Sequence, residues 1–178
     1  MRSDRQADPD REVGGPAVRD HRRRGGRPGL TPRRLAVLAA AGVVVLDQLT
    51  KAWALVALSP PIVLVPGFLR LAVARNSGAA FSTFTGSGPV LALVAVGVVV
   101  LIVVALRDAG HRVEAIGLGL LLGGAVGNLA DRLFRGDGLL DGSVVDWIDF
   151  SFFPTFNVAD AAITVGVVLL LAHSFLRR

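Results

Sequence analysis

The feature that most constrains this fold is an apolar run from Val90 to Leu106 that contains no polar or charged residue. An apolar run of this length exceeds an ordinary strand, and a helix of about 17–25 residues crosses the hydrocarbon core of a bilayer. Three further apolar stretches occur, at residues 35–58, 115–134 and 157–176. With 90–106 as the second span, the pattern predicts an all-α polytopic membrane protein with four transmembrane helices.

The composition excludes several other classes of protein. Hydrophobic residues make up 52% of the chain and charged residues 19%, whereas soluble domains carry about 25% charged residues. The chain has no cysteine, which excludes disulfides, thiolate zinc sites, iron–sulfur clusters and cysteine nucleophiles. His21, His111 and His173 are far apart in the sequence and form no ligand spacing, so we expect neither a metal nor another cofactor.

The positive charge of the chain lies in its N-terminal segment. Residues 1–34 carry ten arginines and five acidic residues, whereas the nine basic and nine acidic residues of 35–178 cancel. The segment has few large apolar side chains, so we predict a disordered basic tail over residues 1–33 ahead of a membrane domain over 34–178. Beside a membrane helix, such a tail favours contact with anionic lipid over binding of nucleic acid.

Arginines at the ends of the spans predict the orientation. They occur before the first span, between the second and third, and after the fourth, as Arg33, Arg34, Arg107, Arg112, Arg177 and Arg178. The positive-inside rule then places both termini in the cytoplasm. Residues 59–89 and 135–156 fall on the outer side, where 62–76 predicts two short strands around Pro66-Gly67 and 135–143 a glycine-rich loop. A cleaved signal peptide is a weaker interpretation of the first span, because its leading tail is too long and its centre is charged.

Polar residues within the spans gather at one predicted depth, near the outer interface. They are Asp47 and Lys51 in the first span, Asn128, Asp131 and Arg132 in the third, and Asp160 in the fourth, with Asp146 just outside. Charged residues in membrane spans are costly and normally functional. Asp47 and Lys51 are one helical turn apart, a spacing that predicts an ion pair. The set predicts one polar pocket at the outer leaflet.

Two carboxylates in such a pocket suit acid–base hydrolysis. Carboxyl groups held a few ångströms apart cannot both ionise, so they share a proton. One then acts as a base on water and the other as an acid toward a carbonyl oxygen. This chemistry hydrolyses an amide without a metal or a covalent intermediate.

Five sequence blocks occur in a fixed order along residues 35–176. They are Asp47-Gln48-Leu49-Thr50-Lys51, Asn76-Ser77-Gly78-Ala79-Ala80-Phe81, the block from Gly123 to Arg132, the block from Val144 to Phe150, and Phe156-Asn157-Val158-Ala159-Asp160. The set resembles the motif blocks of the lipoprotein signal peptidase, or signal peptidase II, family. The loop between Asp131 and Asp146 is longer than the usual pattern, and the basic tail lies outside it.

The resemblance implies a bacterial inner-membrane aspartic endopeptidase that cuts prolipoproteins before their diacylglyceryl-modified cysteine. It implies four membrane helices and a small extracytoplasmic β-cradle that matches the strands of 62–76. The expected partners are prolipoproteins and membrane lipids, and the expected state is a monomer without cofactor or metal. The implied site comprises Asp146 and Asp160 as catalytic residues; Asn76, Asn128 and Arg132 as substrate-binding residues; and Asp47, Lys51, Gly78, Asp131 and Asn157 as supporting residues.

Two other classes of membrane protein are open to the residues alone. An ion-coupled transporter also carries intramembrane charges, but it needs a polar path through both leaflets, and the cytoplasmic halves of these spans are apolar. A structural assembly factor needs no paired aspartates. Outside the pair, we predict that Asp149 is structural or interfacial and that Asp137 and Asp141 are solvated.

Overall fold

The fold is a bundle of four helices with a small sheet at one end, seen in a computed structural model that describes residues 29–77, 88–138 and 140–177. The helices are α1 (Pro32–Ala57), α2 (Gly88–Asp108), α3 (Arg112–Phe134) and α4 (Val158–Leu176). All four are long and apolar enough to span a membrane, which confirms the predicted multi-pass membrane protein. Gly78 and most of the basic tail lie outside the described residues.

No helix end differs from its predicted span by more than three residues. Thr31 caps α1 by accepting from the Arg34 amide at 3.4 Å, and Pro32 occupies the first turn, where its missing N–H costs nothing. Residues 32 and 33, predicted as tail, are therefore helical. Asn157 is the N-cap of α4 rather than its first residue, and it forms a reciprocal capping box with Asp160.

Helix α3 packs against the other three helices, and glycines make this close packing possible. A Cβ on Gly123 would lie 2.7 Å from the carbonyl oxygen of Ala40 in α1. A Cβ on Gly124 would lie 2.5 Å from the carbonyl oxygen of Ala159 in α4. Both distances are too short for any other residue, so the glycines bring three backbones together.

The arginine-bearing ends of the helices lie at one end of the bundle. Arg33 in the first turn of α1 donates to the carbonyl oxygen of Arg107 at the end of α2, at 2.9 Å. The rings of His111, before α3, and His173, in the last turn of α4, have centroids 5.5 Å apart. The two histidines are thus neighbours in the fold although they are far apart in the sequence.

The sheet at the other end has four antiparallel strands in the order β1-β2-β3-β4. They are β1 (Ile62–Val65), β2 (Leu69–Asn76), β3 (Val144–Phe150) and β4 (Phe153–Phe156). The first two form the predicted hairpin, whose turn uses Gly67 at a φ of 73°. The sequence interpretation did not predict β3 or β4. Asp146 lies on β3, which is a central strand of the sheet.

The register of β2 and β3 sets which side chains lie beside Asp146. Ala74 pairs with Asp146 and Asn76 with Val144, while Arg70 pairs with Asp149. Successive side chains on a strand point to opposite faces, so Asp149 lies on the face opposite Asp146. There Asp149 forms an ion pair with Arg70, which agrees with its predicted structural role.

Candidate active site

The centre of the polar pocket is a pair of aspartates joined by one asparagine. Asp146 comes from β3 and is 2% exposed, and Asp160 comes from the first turn of α4. The Asn157 side-chain amide donates to Asp146 Oδ1 at 2.6 Å, and its backbone N–H donates to Asp160 Oδ2 at 3.2 Å. The capping box of α4 therefore fixes both carboxylates relative to one residue.

Two further asparagines hold the outer oxygens of this pair. Asn76 Nδ2 donates to Asp146 Oδ2 at 3.2 Å, and Asn128 Nδ2 donates to Asp160 Oδ1 at 2.8 Å. Asn128 Oδ1 accepts from Asn157 at 3.1 Å, so the amides form a connected network. Each carboxylate oxygen accepts a hydrogen bond from protein, which fixes its position before any ligand arrives.

Asp146 has an unusually high proton affinity. Burial, the larger cause, and the negative charge of Asp160 together raise the pKa of the Asp146 carboxyl from 3.8 to about 6. Hydrogen bonds from Asn76 and Asn157 oppose this change by stabilising the ionised form. The pair therefore keeps a proton at a pH where an ordinary aspartate has lost it.

A buried charge cluster lies beneath the pair. Lys51 Nζ is 2.8 Å from Asp47 Oδ2 and 2.8 Å from Asp131 Oδ2, and all three side chains are fully buried. Lys51 Nζ also donates to Asn128 Oδ1 at 2.9 Å. The predicted pairing of Asp47 with Lys51 is confirmed, and Asp131 is a second partner that the spacing did not reveal.

The sequence interpretation missed two members of this cluster, Gln48 and Arg135. Arg135 Nε donates to Asp131 Oδ1 at 2.8 Å, and Gln48 Nε2 donates to the same oxygen at 3.1 Å. Arg135 Nη2 also donates to Gln48 Oε1 at 3.3 Å. The helical spacing of Asp131 and Arg135 was a usable signal, because i and i+4 side chains meet on one face.

Arg132 is buried near the pair and is incompletely bonded. It is 9% exposed, and its Nη1 has no hydrogen-bond partner within the part of the chain that the structure describes. Its charge interacts with Asp131 and Asp146. A buried guanidinium N–H without a partner is costly, so this donor is available to an incoming carbonyl oxygen.

The two acidic residues of the long loop lie apart from the pocket. Asp141 is exposed and accepts from the Gly138 amide at 3.0 Å. Asp137 is also exposed, so both agree with the predicted solvated role.

Near β3, the rings of Trp147 and Trp53 meet edge to face, with centroids 5.6 Å apart.

Gly127 allows the Asp47 carboxylate to reach its place. A Cβ on Gly127 would lie 2.7 Å from Asp47 Oδ2, whereas Gly42 in α1 has nothing within 4 Å of the same position. We expect Gly127→Ala to lower thermal stability and to cut activity by roughly 10-fold or more, since overpacking typically costs about 1–3 kcal/mol. Gly42→Ala, the matched control, should change neither. Equal effects of the two changes on melting temperature and cleavage rate would contradict this account.

Comparison with known proteins finds similar sequences over most of this chain. A family model described as signal peptidase (SPase) II matches residues 39–176. The lipoprotein signal peptidase of Rhodococcus jostii (strain RHA1) is 45% identical over 148 residues, covering 82% of this chain and 75% of that protein. The lipoprotein signal peptidase of Mycobacterium avium (strain 104) is 46% identical over 147 residues, covering 80% and 81%.

Solved structures share the fold. A bacterial membrane enzyme determined by the in meso method at 1.9 Å resolution superposes with a TM-score of 0.67 at 31% identity, covering 78% of this chain and 90% of the other. A second such structure, at 2.3 Å resolution, also gives a TM-score of 0.67, at 30% identity, with coverage of 79% and 87%. The bundle and its sheet thus match experimentally determined membrane enzymes.

Proposed function

Because this chain belongs to the signal peptidase II family, a family of peptidases that process prolipoproteins, we propose that it is an aspartic endopeptidase. It removes the signal peptide by cutting before the diacylglyceryl-modified cysteine of the prolipoprotein. The observation that carries the aspartic mechanism is the pair of Asp146, which is buried, and Asp160, which is half-buried, joined through Asn157. Because the chain belongs to a peptidase family, we prefer a peptidase to a transporter or an assembly factor as the explanation of the intramembrane charges.

In the proposed reaction, Asp146 and Asp160 share one proton. The ionised carboxylate takes a proton from water as the water oxygen bonds to the scissile carbonyl carbon. The protonated carboxyl gives its proton to the carbonyl oxygen, so a neutral tetrahedral intermediate forms. As this intermediate collapses, the C–N bond breaks, one carboxyl gives its proton to the leaving amine, and the other carboxylate takes a proton from a hydroxyl of the intermediate, which restores the shared proton. The raised pKa of Asp146 supports its assignment as the carboxyl that holds the shared proton.

The substrate backbone is held by donors at the edge of this pair. Arg132 suits this role, because its buried Nη1 has no partner in the described part of the chain and a peptide carbonyl would satisfy it. Asn76 is placed beside Asp146 on the adjoining strand, within reach of the same peptide. Asn128 fits a different role from the one expected, since its amide already contacts Lys51, Asp160 and Asn157. We assign Asn128 to the support of Asp160, with Asp47, Lys51, Asp131 and Asn157.

We place the protein in the bacterial cell membrane with both termini in the cytoplasm and the aspartates at the outer leaflet. The arginine-bearing helix ends lie opposite the carboxylates in the bundle, and the positive-inside rule assigns such ends to the cytoplasm. The sheet that carries Asp146 is then extracytoplasmic. The basic tail at 1–33 remains on the cytoplasmic side, beside anionic lipid, and the enzyme acts as a monomer.

The function is tested with the purified full-length chain in detergent and two synthetic prolipoproteins. The two differ only in whether the cysteine carries a diacylglyceryl group. We expect mass spectrometry to find one cut, directly before the modified cysteine, and at least about 100-fold slower cleavage of the unmodified peptide, a difference of roughly 3 kcal/mol. A chelator should leave the rate unchanged. Equal cleavage of both peptides, or a cut elsewhere, would reject the proposed specificity.

A further inference from the structure

We infer that Lys51 is a positioning residue that sets the separation of Asp146 and Asp160, because it holds two side chains that each anchor one of them. The inference rests on the proposed function, since it takes these two aspartates as the reacting pair. The inference concerns how the two aspartates are held in place and not the reaction they perform. The supporting observations are the contacts of the Lys51 ammonium group.

Two chains of contacts, here called branches, connect Lys51 through a carboxylate to the backbone beside each catalytic aspartate. Asp47, at 2.8 Å from Nζ, also accepts from the backbone N–H of Ala159 through Oδ1 at 3.0 Å. Asp131, at 2.8 Å from Nζ, also accepts from the backbone N–H of Val145 through Oδ2 at 3.1 Å. Ala159 directly precedes Asp160, and Val145 directly precedes Asp146. One cation thus connects the backbones that present the two aspartates.

A third branch leaves through Asn128. Its Oδ1 accepts from Lys51 Nζ at 2.9 Å, which turns the amide nitrogen toward Asp160 Oδ1, 2.8 Å away. An ammonium group has three N–H donors, and this one meets three acceptors. The branches end at β3 and at the start of α4.

Charge neutralisation alone does not explain this geometry. Asp131 already has a second cation, since Arg135 Nε lies 2.8 Å from its Oδ1, and the Arg132 charge is also close. Neutralisation needs only a nearby positive charge, whereas positioning needs the short contacts that Lys51 makes on both sides. A displacement of about 1 Å in a reacting group lowers rates by roughly 100-fold. Loss of Lys51 should therefore act on turnover more than on substrate binding.

Three variants separate the two roles. Lys51→Met removes the cation, and Lys51→Met/Asp131→Asn restores the net charge of the cluster without restoring the bridge. Asp131→Asn alone is the matched control, because Lys51 still reaches Asp47 and Asn128. We expect the double variant to recover the melting temperature lost in Lys51→Met, but to keep a kcat about 100-fold below wild type and at least about 10-fold below Asp131→Asn, with KM changed only a few-fold. Recovery of kcat together with stability would overturn the inference.

A spectroscopic measurement needs no variant of Lys51. Lys51 is the only lysine in the chain, so ¹⁵N-labelled lysine gives one side-chain signal. If Lys51 is tied to both aspartates, its Nζ chemical shift should follow protonation of the pair, with a midpoint near the pKa of about 6 for Asp146. In Asp146→Asn this step should vanish, while Asp47 and Asp131 remain as its direct partners. A shift that is flat in wild type, or unchanged in that variant, would overturn the inference.

The same assays distinguish this inference from the proposed function. Asp146→Asn and Asp160→Asn are measured in parallel with the Lys51 variants. If either aspartate variant retains turnover, the proposed function fails, whatever Lys51 does. If both are inactive while Lys51→Met/Asp131→Asn regains turnover, only the positioning role fails.

Discussion

Replacing either Asp146 or Asp160 with asparagine should lower the cleavage rate by several orders of magnitude while the protein stays folded. Asparagine keeps the size and polarity of the side chain but removes its titration. The proposed reaction needs one ionised and one protonated carboxyl at the same time, so neither aspartate can act alone. Asn157, Asn76 and Asn128 donate to the pair, and the Oδ1 of the introduced asparagine still accepts one of the two bonds that each aspartate accepts.

The double variant should be little slower than either single one, because groups that act as a unit have non-additive effects. The measurement is cleavage of a diacylglyceryl-modified prolipoprotein by wild type and the three variants at matched amounts of folded protein. The wild-type rate should follow a bell-shaped pH profile, whose limbs belong to the pair as a whole. Near-wild-type turnover by either single variant would eliminate the aspartic pair as the catalyst.

The single change Asp146→Asn should also alter the thermal stability of the protein, and the size of this effect should depend on pH. The pKa of Asp146 is raised from 3.8 to about 6 by burial and by the charge of Asp160, so ionisation destabilises the folded state. This destabilisation is absent below pH 3.8 and complete above pH 6, where it amounts to about 3 kcal/mol. Asp146→Asn should therefore raise the melting temperature near pH 8 and not near pH 4.

The helices could be predicted from the sequence because membrane insertion demands long apolar runs. Each predicted span corresponds to a helix, and Thr31 and Asn157 cap two of the ends that differ from the prediction. The polar cluster was also predictable in part, because Asp47 and Lys51 have the spacing of one helical turn and their 2.8 Å contact is observed.

Contacts between distant segments could not be predicted in the same way. Strand β3 pairs with a strand about 70 residues away, as Asn76 with Val144 shows, and no local pattern encodes that register. The bond from Val145 to Asp131 is likewise a backbone contact, and residue type does not signal it. The sequence therefore identified most residues of the site but not the way in which Lys51 connects them.

Arg132→Met should reduce kcat/KM by roughly 30- to 150-fold, because a hydrogen bond to a charged group is worth about 2–3 kcal/mol. Arg132 is buried, and its Nη1 has no partner among residues 29–77, 88–138 and 140–177. In the proposed complex this donor binds a carbonyl oxygen of the substrate. Methionine keeps the length and apolar character of the stem but offers no donor.

Arg135→Met is the matched control, at the residue that caps the C-terminal end of α3. Arg135 is already bonded within the protein, to Asp131 at 2.8 Å and to Gln48 at 3.3 Å. Its loss should therefore lower the melting temperature more than loss of Arg132, and should reduce kcat/KM less. Replacing Arg132 removes an unsatisfied buried donor, so the Arg132→Met protein should melt no lower than wild type. If instead Arg132→Met unfolds early and cleaves normally, Arg132 supports the fold and does not bind the substrate.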